Sequence, residues 1–228
     1  MPENQIEGIK ACVYDVCGTL FALHSSAAQF RDDLGDKADQ ISNSWRKKKL
    51  QYSWFQSLMQ KFVPLWQVTD KALDFAHVKS ESYDPALRQK LMNLYLQLKC
   101  YPGVPGALKM LKRTGKHTGI LSNGYRQILD SALKNSSLGD VLNVSLPNDY
   151  ESVSMIDPRG YKVTTDRFNY TPPEICFMSS NSRDAWAASH FGLQVAWVNF
   201  FDQPPEYAPS GLAAEITTLE ELPPLLDL

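Results

Sequence analysis

A chain of 228 residues with 43% hydrophobic and 11% aromatic side chains is long enough for one substantial core, alone or carrying a smaller appended domain. Its 23 basic and 25 acidic residues give a formal charge of −2 and no basic stripe to neutralise a run of phosphates, which counts against a nucleic-acid partner and favours small-molecule chemistry. The opening MPENQIEGIK has no apolar signal core, and no window approaches the roughly 20 apolar residues of a membrane span, so a cytoplasmic protein without membrane association is expected. Cys12, Cys17, Cys100 and Cys176 form no CxxC pair, which suits reduced thiols better than a disulfide framework or a zinc site.

The first element is the short apolar run ACVYDVCGT, residues 11 to 19, read as a buried strand that ends in Asp15. About eighty residues of helical character follow. In ISNSWRKKKLQYSWFQSLMQKFVPLW, Trp45, Tyr52, Phe55, Met59 and Phe62 recur at steps of seven, three, four and three, which predicts one apolar helix face. The run Lys47 to Lys49 reads as a solvated face of that helix. TDKALDFAHVKS and DPALRQKLMNLYLQL predict two further helices, and the Pro-Gly loop in CYPGVPGALKMLK opens another.

HTGILSNGYRQ and EICFMSSNSRDAW then read as strands passing into helix starts. A helix from about Asp184 to Phe191 is stopped by Gly192, and LQVAWVNF is a fourth strand. Near-continuous apolar strands alternating with helices predict a doubly wound, Rossmann-like α/β core with a parallel sheet covered on both faces. The expected division is a core of residues 1–21 and 99–228, with an inserted helical cap over 22–98. The proline-rich DQPPEYAPSG near the end reads as a surface loop.

In such sheets ligands bind beyond the carboxyl ends of the strands. Asp15, Ser122 with Asn123, and Ser179 through Asp184 all fall there. Asp15 by itself reads more readily as a helix cap, whereas three strand ends presenting hydrogen-bonding groups to one point read as a site with a carboxylate nucleophile.

The segments YDVCGTLFALHS, SWRKKKLQYSW, ILSNG, DPRGY and FMSSNSRDAWAASHFGLQVAWVN together resemble the L-2-haloacid dehalogenases of the haloacid dehalogenase superfamily, over essentially the whole chain. The resemblance implies a homodimer that needs no metal or other cofactor and acts on small 2-halocarboxylates. An aspartate displaces halide from carbon, and water then hydrolyses the aspartyl ester to a 2-hydroxy acid of inverted configuration. By motif, Asp15 corresponds to the nucleophile, Thr19 to its supporting hydroxyl and Arg46 to the halide-drawing arginine. A guanidinium suits that task because it stays charged and spreads its donors across an anion. Ser122 and Asn123 correspond to substrate contacts, Ser179, Asn181 and Asp184 to the loop that orients the second-step water, and Tyr161 to a supporting hydroxyl. Cys17, Leu50 and Met155 join the expected substrate wall.

Three positions depart from the pattern. Cys17 stands where the superfamily's phosphatases carry a second, proton-donating aspartate and where dehalogenases usually carry tyrosine. A departing halide needs no proton, so the cysteine argues against phosphatase chemistry and is compatible with dehalogenation. Met155 stands where the family has lysine. Losing a cation about 4 Å from a carboxylate forfeits about 4 kcal/mol, or about a thousandfold in rate if nothing substitutes. Arg46, Lys162 and Arg183 are the candidate substitutes, Arg183 occupying a position where the family often has an aromatic residue. His24 and His190 read as structural or surface residues. Besides a dehalogenase, two readings stay open: a degenerate member that binds a small carboxylate without turnover, and a phosphatase.

Overall fold

β1 (Ala11–Tyr14) is four residues long and wholly buried, with its side chains alternating between two apolar layers. Ala11 and Val13 pack with Tyr161, Phe168 and Ala185, while Cys12 and Tyr14 pack with Leu108, Leu129 and, from the insertion, Trp45 and Leu73. A strand apolar on both faces needs cover on both, and the computed structural model, described over residues 6–22, 31–61, 63–81, 84–122, 126–136, 138–142, 144–147, 156–204 and 211–226, supplies it.

β2 (His117–Ser122), β3 (Val144–Pro147), β4 (Ile175–Ser179), β5 (Gln194–Val198) and β6 (Ala214–Ile216) complete a parallel sheet of order β3-β2-β1-β4-β5-β6. The expected doubly wound α/β core is therefore present. β3 and β6 add to the four strands expected, because the edge strands VSLP and AEI break their apolar residues with polar ones and give no continuous run such as the ACVY of β1. The chain runs from β1 to one side of the sheet and later returns to its other side at β4. This reversal opens a crevice at the carboxyl ends of β1 and β4, the usual place for a ligand in such sheets.

Between β1 and β2 lie α1 (Ala38–Leu58), α2 (Leu65–Ser80) and α3 (Pro85–Asn93), followed by α4 (Val104–Arg113). The buried Trp45 Nε1 donates to the Thr69 carbonyl at 2.8 Å, tying α1 to α2. The predicted apolar stripe of α1 is only partly realised. Trp45 is buried and Tyr52 half-buried, but Phe55 is 48% and Met59 54% exposed; Phe62 lies outside the described residues.

α5 (Arg126–Ser136) joins α4 on the face that carries α1 and α2, while α6 (Pro158–Phe168) and α7 (Ser182–Phe191) cover the other. α7 begins two residues before its expected start because Asn181 caps it, accepting from Arg183 N–H. It ends as expected at Gly192, whose φ of 105° is a conformation that suits glycine.

Candidate active site

Asp15 extends β1 by one step, its backbone N–H donating to the Met178 carbonyl at 2.9 Å, so it emerges beside the end of β4. Gly18, at φ 96°, then turns the chain back over the site, where a Cβ at position 18 would meet Ser180 Oγ at 3.2 Å. The turn delivers Thr19 to the carboxylate. Thr19 Oγ1 donates to Asp15 Oδ2 at 2.9 Å and accepts the backbone N–H of Ser180 at 2.8 Å. Ser179 Oγ makes a longer contact with the same Oδ2, at 3.5 Å, and accepts Asn181 N–H at 3.1 Å.

The first turn of α7 contributes a second buried carboxylate. Asn181 Nδ2 donates to Asp184 Oδ2 at 3.0 Å, and the buried Tyr161 hydroxyl donates to the Asp184 backbone carbonyl at 3.0 Å. Tyr161 thus supports the loop through its backbone. Burial drives both carboxyls up, Asp15 to about 6 and Asp184 to about 8. The Asp15 charge pushes Asp184 further up, while Asn181 and the Arg183 guanidinium pull it down. For Asp15 the opposing pulls are the Thr19 hydroxyl, the Val16 backbone N–H, the Lys49 ammonium and the Ser179 hydroxyl.

Lys49 corrects the sequence reading. Expected on a solvated face, it is only 8% exposed, and its charge acts on both Asp15 and Cys17. The spacing already holds the signal: residue 49 is four after Trp45 and three before Tyr52, so it shares their face. A run of three lysines obscures it. Lys47 is exposed, and Lys48 is half-buried with its ammonium 4.4 Å from the centroid of the Phe75 ring.

Arg46 is exposed, and its charge is felt at Tyr101, just before α4. Leu50, four residues on, is half-buried, and Trp54, four further, has the Arg183 guanidinium carbon 5.3 Å from its ring centroid. Arg183 thus spans from α7 to α1. Lys162 turns away from the site: its ammonium pairs with Asp166 at 2.6 Å, with 60% of the side chain exposed. Lys162 is therefore no substitute for the cation missing at position 155. His190 is on the surface, as expected. Ser122 is buried at the end of β2. Asn123, Met155 and His24 lie outside the described residues.

Cys17 is half-buried against the apolar layer, and burial pushes its thiol up to about 11, against an opposing pull from Lys49. Magnesium takes oxygen ligands. A neutral thiol two residues from Asp15, with an ammonium acting on the same carboxylate, does not fit it.

The family model for haloacid dehalogenase-like hydrolases matches residues 9–192. The chain belongs to this family. The hydrolase is 38% identical over 225 residues to (S)-2-haloacid dehalogenase 4A of Burkholderia cepacia, covering 97% of this chain and 96% of that protein. It is 36% identical to (S)-2-haloacid dehalogenase 1 of Pseudomonas sp. (strain CBS-3), covering 97% and 98%. A crystal structure of a dehalogenase with an intermediate complex superposes with a TM-score of 0.94 at 38% identity, covering 97% of this chain and 98% of the other. The L-2-haloacid dehalogenase of Xanthobacter autotrophicus superposes at 0.87 with 27% identity, covering 95% and 98%. The family resemblance read from the motifs is therefore correct. Among the described residues no helix is long and apolar enough to cross a membrane.

Proposed function

We propose that this hydrolase removes halide from small L-2-haloacids, giving 2-hydroxy acids of inverted configuration through an ester on Asp15. The observation that carries the proposal is a buried carboxylate clamped by hydroxyls beside a second buried carboxylate, in a chain whose relatives include (S)-2-haloacid dehalogenases. Thr19 and Ser179 hold Oδ2, which assigns the attack to Oδ1. As the new C–O bond forms, the carbon–halogen bond breaks and its electron pair leaves with the halide. Arg46 draws off the anion on the solvent side. Ser122, Leu50 and Cys17 line the substrate, Asn123 and Met155 are assigned to the same wall by the family pattern alone, and the insertion, residues 22–98, acts as a cap on the core.

The second step follows from the repulsion between the two carboxyls. While Asp15 is charged, it raises Asp184, and the pair retains a proton near neutral pH. Esterification makes Asp15 neutral and removes that repulsion, which favours ionisation of Asp184, with its proton released to solvent, against the larger effect of burial. Asp184, held by Asn181, then takes a proton from the water that attacks the ester carbonyl. The bond from the Asp15 carboxyl carbon to the product oxygen then breaks, that oxygen takes the proton back from Asp184 and leaves as the 2-hydroxy acid, and the Asp15 carboxylate is regenerated with loss of the remaining proton.

The test is halide release from L-2-chloropropionate and monohaloacetates by metal-free protein, with Asp15→Asn as the blank. Turnover lost in Asp15→Asn supports the reading; equal release by both proteins refutes it. The proposal includes a homodimer, for which exposed apolar side chains such as Leu58, at 80%, and Val78, at 75%, offer contact surface. Sedimentation velocity returning a monomer across the working concentrations would remove that part.

A further inference from the structure

Three interactions fix how α1 faces the strand ends. Arg46 acts on Tyr101, Lys49 acts on Asp15 and Cys17, and Trp54 lies against Arg183. Positions 46, 49, 50 and 54 are separated by three, one and four residues, so they occupy adjoining turns on one side of the helix. Lys49 lies between the two outer anchors and is buried, whereas Arg46 is open to solvent.

We propose that Lys49 supplies, from the helical insertion, the positive charge that keeps Asp15 ionised for attack. The proposal rests on the reading of Asp15 as the nucleophile. A lysine is seldom buried without a compensating charge, because its ammonium gives up hydration on entering the fold. Here the compensation is at hand in two buried carboxyls, and each has its own cation. Arg183 acts on Asp184 from within α7, while Lys49 acts on Asp15 from α1. The same helix holds Arg183 through Trp54, so α1 sets both charges of the site. The cation that the resemblance expects at position 155, where the chain has Met155, is thereby supplied from the helical insertion instead. Cys17 fits the arrangement: a small side chain at this position leaves room for a lysine to approach Asp15, and its neutral thiol does not compete for the charge.

The test is a carbon-13 NMR titration of aspartate carboxyls in unaltered protein, Lys49→Met and Lys49→Arg, with the Asp15 signal assigned by its loss in Asp15→Asn. Lys49→Met should move the Asp15 titration upward by about one pH unit or more, and Lys49→Arg should leave it near its original position. Halide release at pH 7 should fall about twofold in Lys49→Met for a one-unit shift and about tenfold for a two-unit shift, recover as the pH is raised, and be largely retained in Lys49→Arg. Lys49→Gln, which keeps a polar tip, takes the place of the methionine variant if that protein does not fold. An unmoved titration in a folded neutral variant overturns the proposal, since a lysine that merely anchors the helix would not alter Asp15. The titration needs no turnover. Absence of halide release from the unaltered protein would therefore sink the dehalogenase reading, while the Asp15 titration would still decide whether Lys49 supplies the charge.

Discussion

The Arg183 guanidinium lies over the Trp54 ring, 5.3 Å from its centroid, joining the first turn of α7 to the helical insertion across the strand ends. A partly exposed cation–π contact is worth about 0.5–1 kcal/mol. Trp54→Leu should accordingly raise KM for L-2-chloropropionate about two- to fivefold with a smaller effect on kcat. Arg183→Ala also removes a charge that stabilises ionised Asp184, so its loss should extend to the hydrolytic step. A double-mutant cycle reads the coupling, and strictly additive effects would show that the contact does not join the two parts functionally.

Thr19 serves two partners with one hydroxyl, donating to Asp15 and accepting from Ser180 N–H. Thr19→Val keeps the shape and loses both bonds, at a cost of about 1–3 kcal/mol. We expect kcat to fall about tenfold and the acid limb of its pH profile to move upward, because the carboxylate has lost a donor. A profile unchanged in position would assign Thr19 to loop structure alone.

The raised carboxyls also set a pH dependence of stability. Asp15 and Asp184 bind protons more tightly folded than unfolded, so they destabilise the fold above their ordinary value of 3.8, and the penalty disappears as the pH falls below it. Replacing Asp15 by the neutral isostere should remove its share, about 3 kcal/mol at most, once the pH exceeds 6. Urea unfolding should therefore find Asp15→Asn more stable than the unaltered protein at pH 8, with the difference nearly gone at pH 4. A variant that is less stable at pH 8 would contradict the burial of an ionised Asp15.

With Lys49 supplying the charge, Met155→Lys should raise halide release by less than about tenfold rather than the thousandfold that a site without a substitute would gain. A hundredfold rise would show that Lys49 does not compensate. Lys162→Ala provides the control: its ammonium is engaged with Asp166 on the surface, and halide release should stay within about twofold.

By itself the sequence determined the doubly wound core, the placement of Asp15, Ser179, Asn181 and Asp184 at strand ends, and the family. These follow from local information: apolar runs long enough to register, polar residues at their ends, and Gly192 after α7. β3 and β6 are not legible there because Ser145 and Glu215 interrupt their few apolar residues, whereas the equally short β1 is apolar throughout. The charges around Asp15 are a different matter. Lys47, Lys48, Lys49, Lys162 and Arg183 are all cations in the sequence, and only the packing of α1 against the strand ends separates the buried Lys49 from its neighbours. Tertiary packing likewise leaves Lys162 with Asp166 at the surface and sets Arg183 over Trp54. Charge acts through space and depends on burial, and both are set by contacts between segments far apart in the chain.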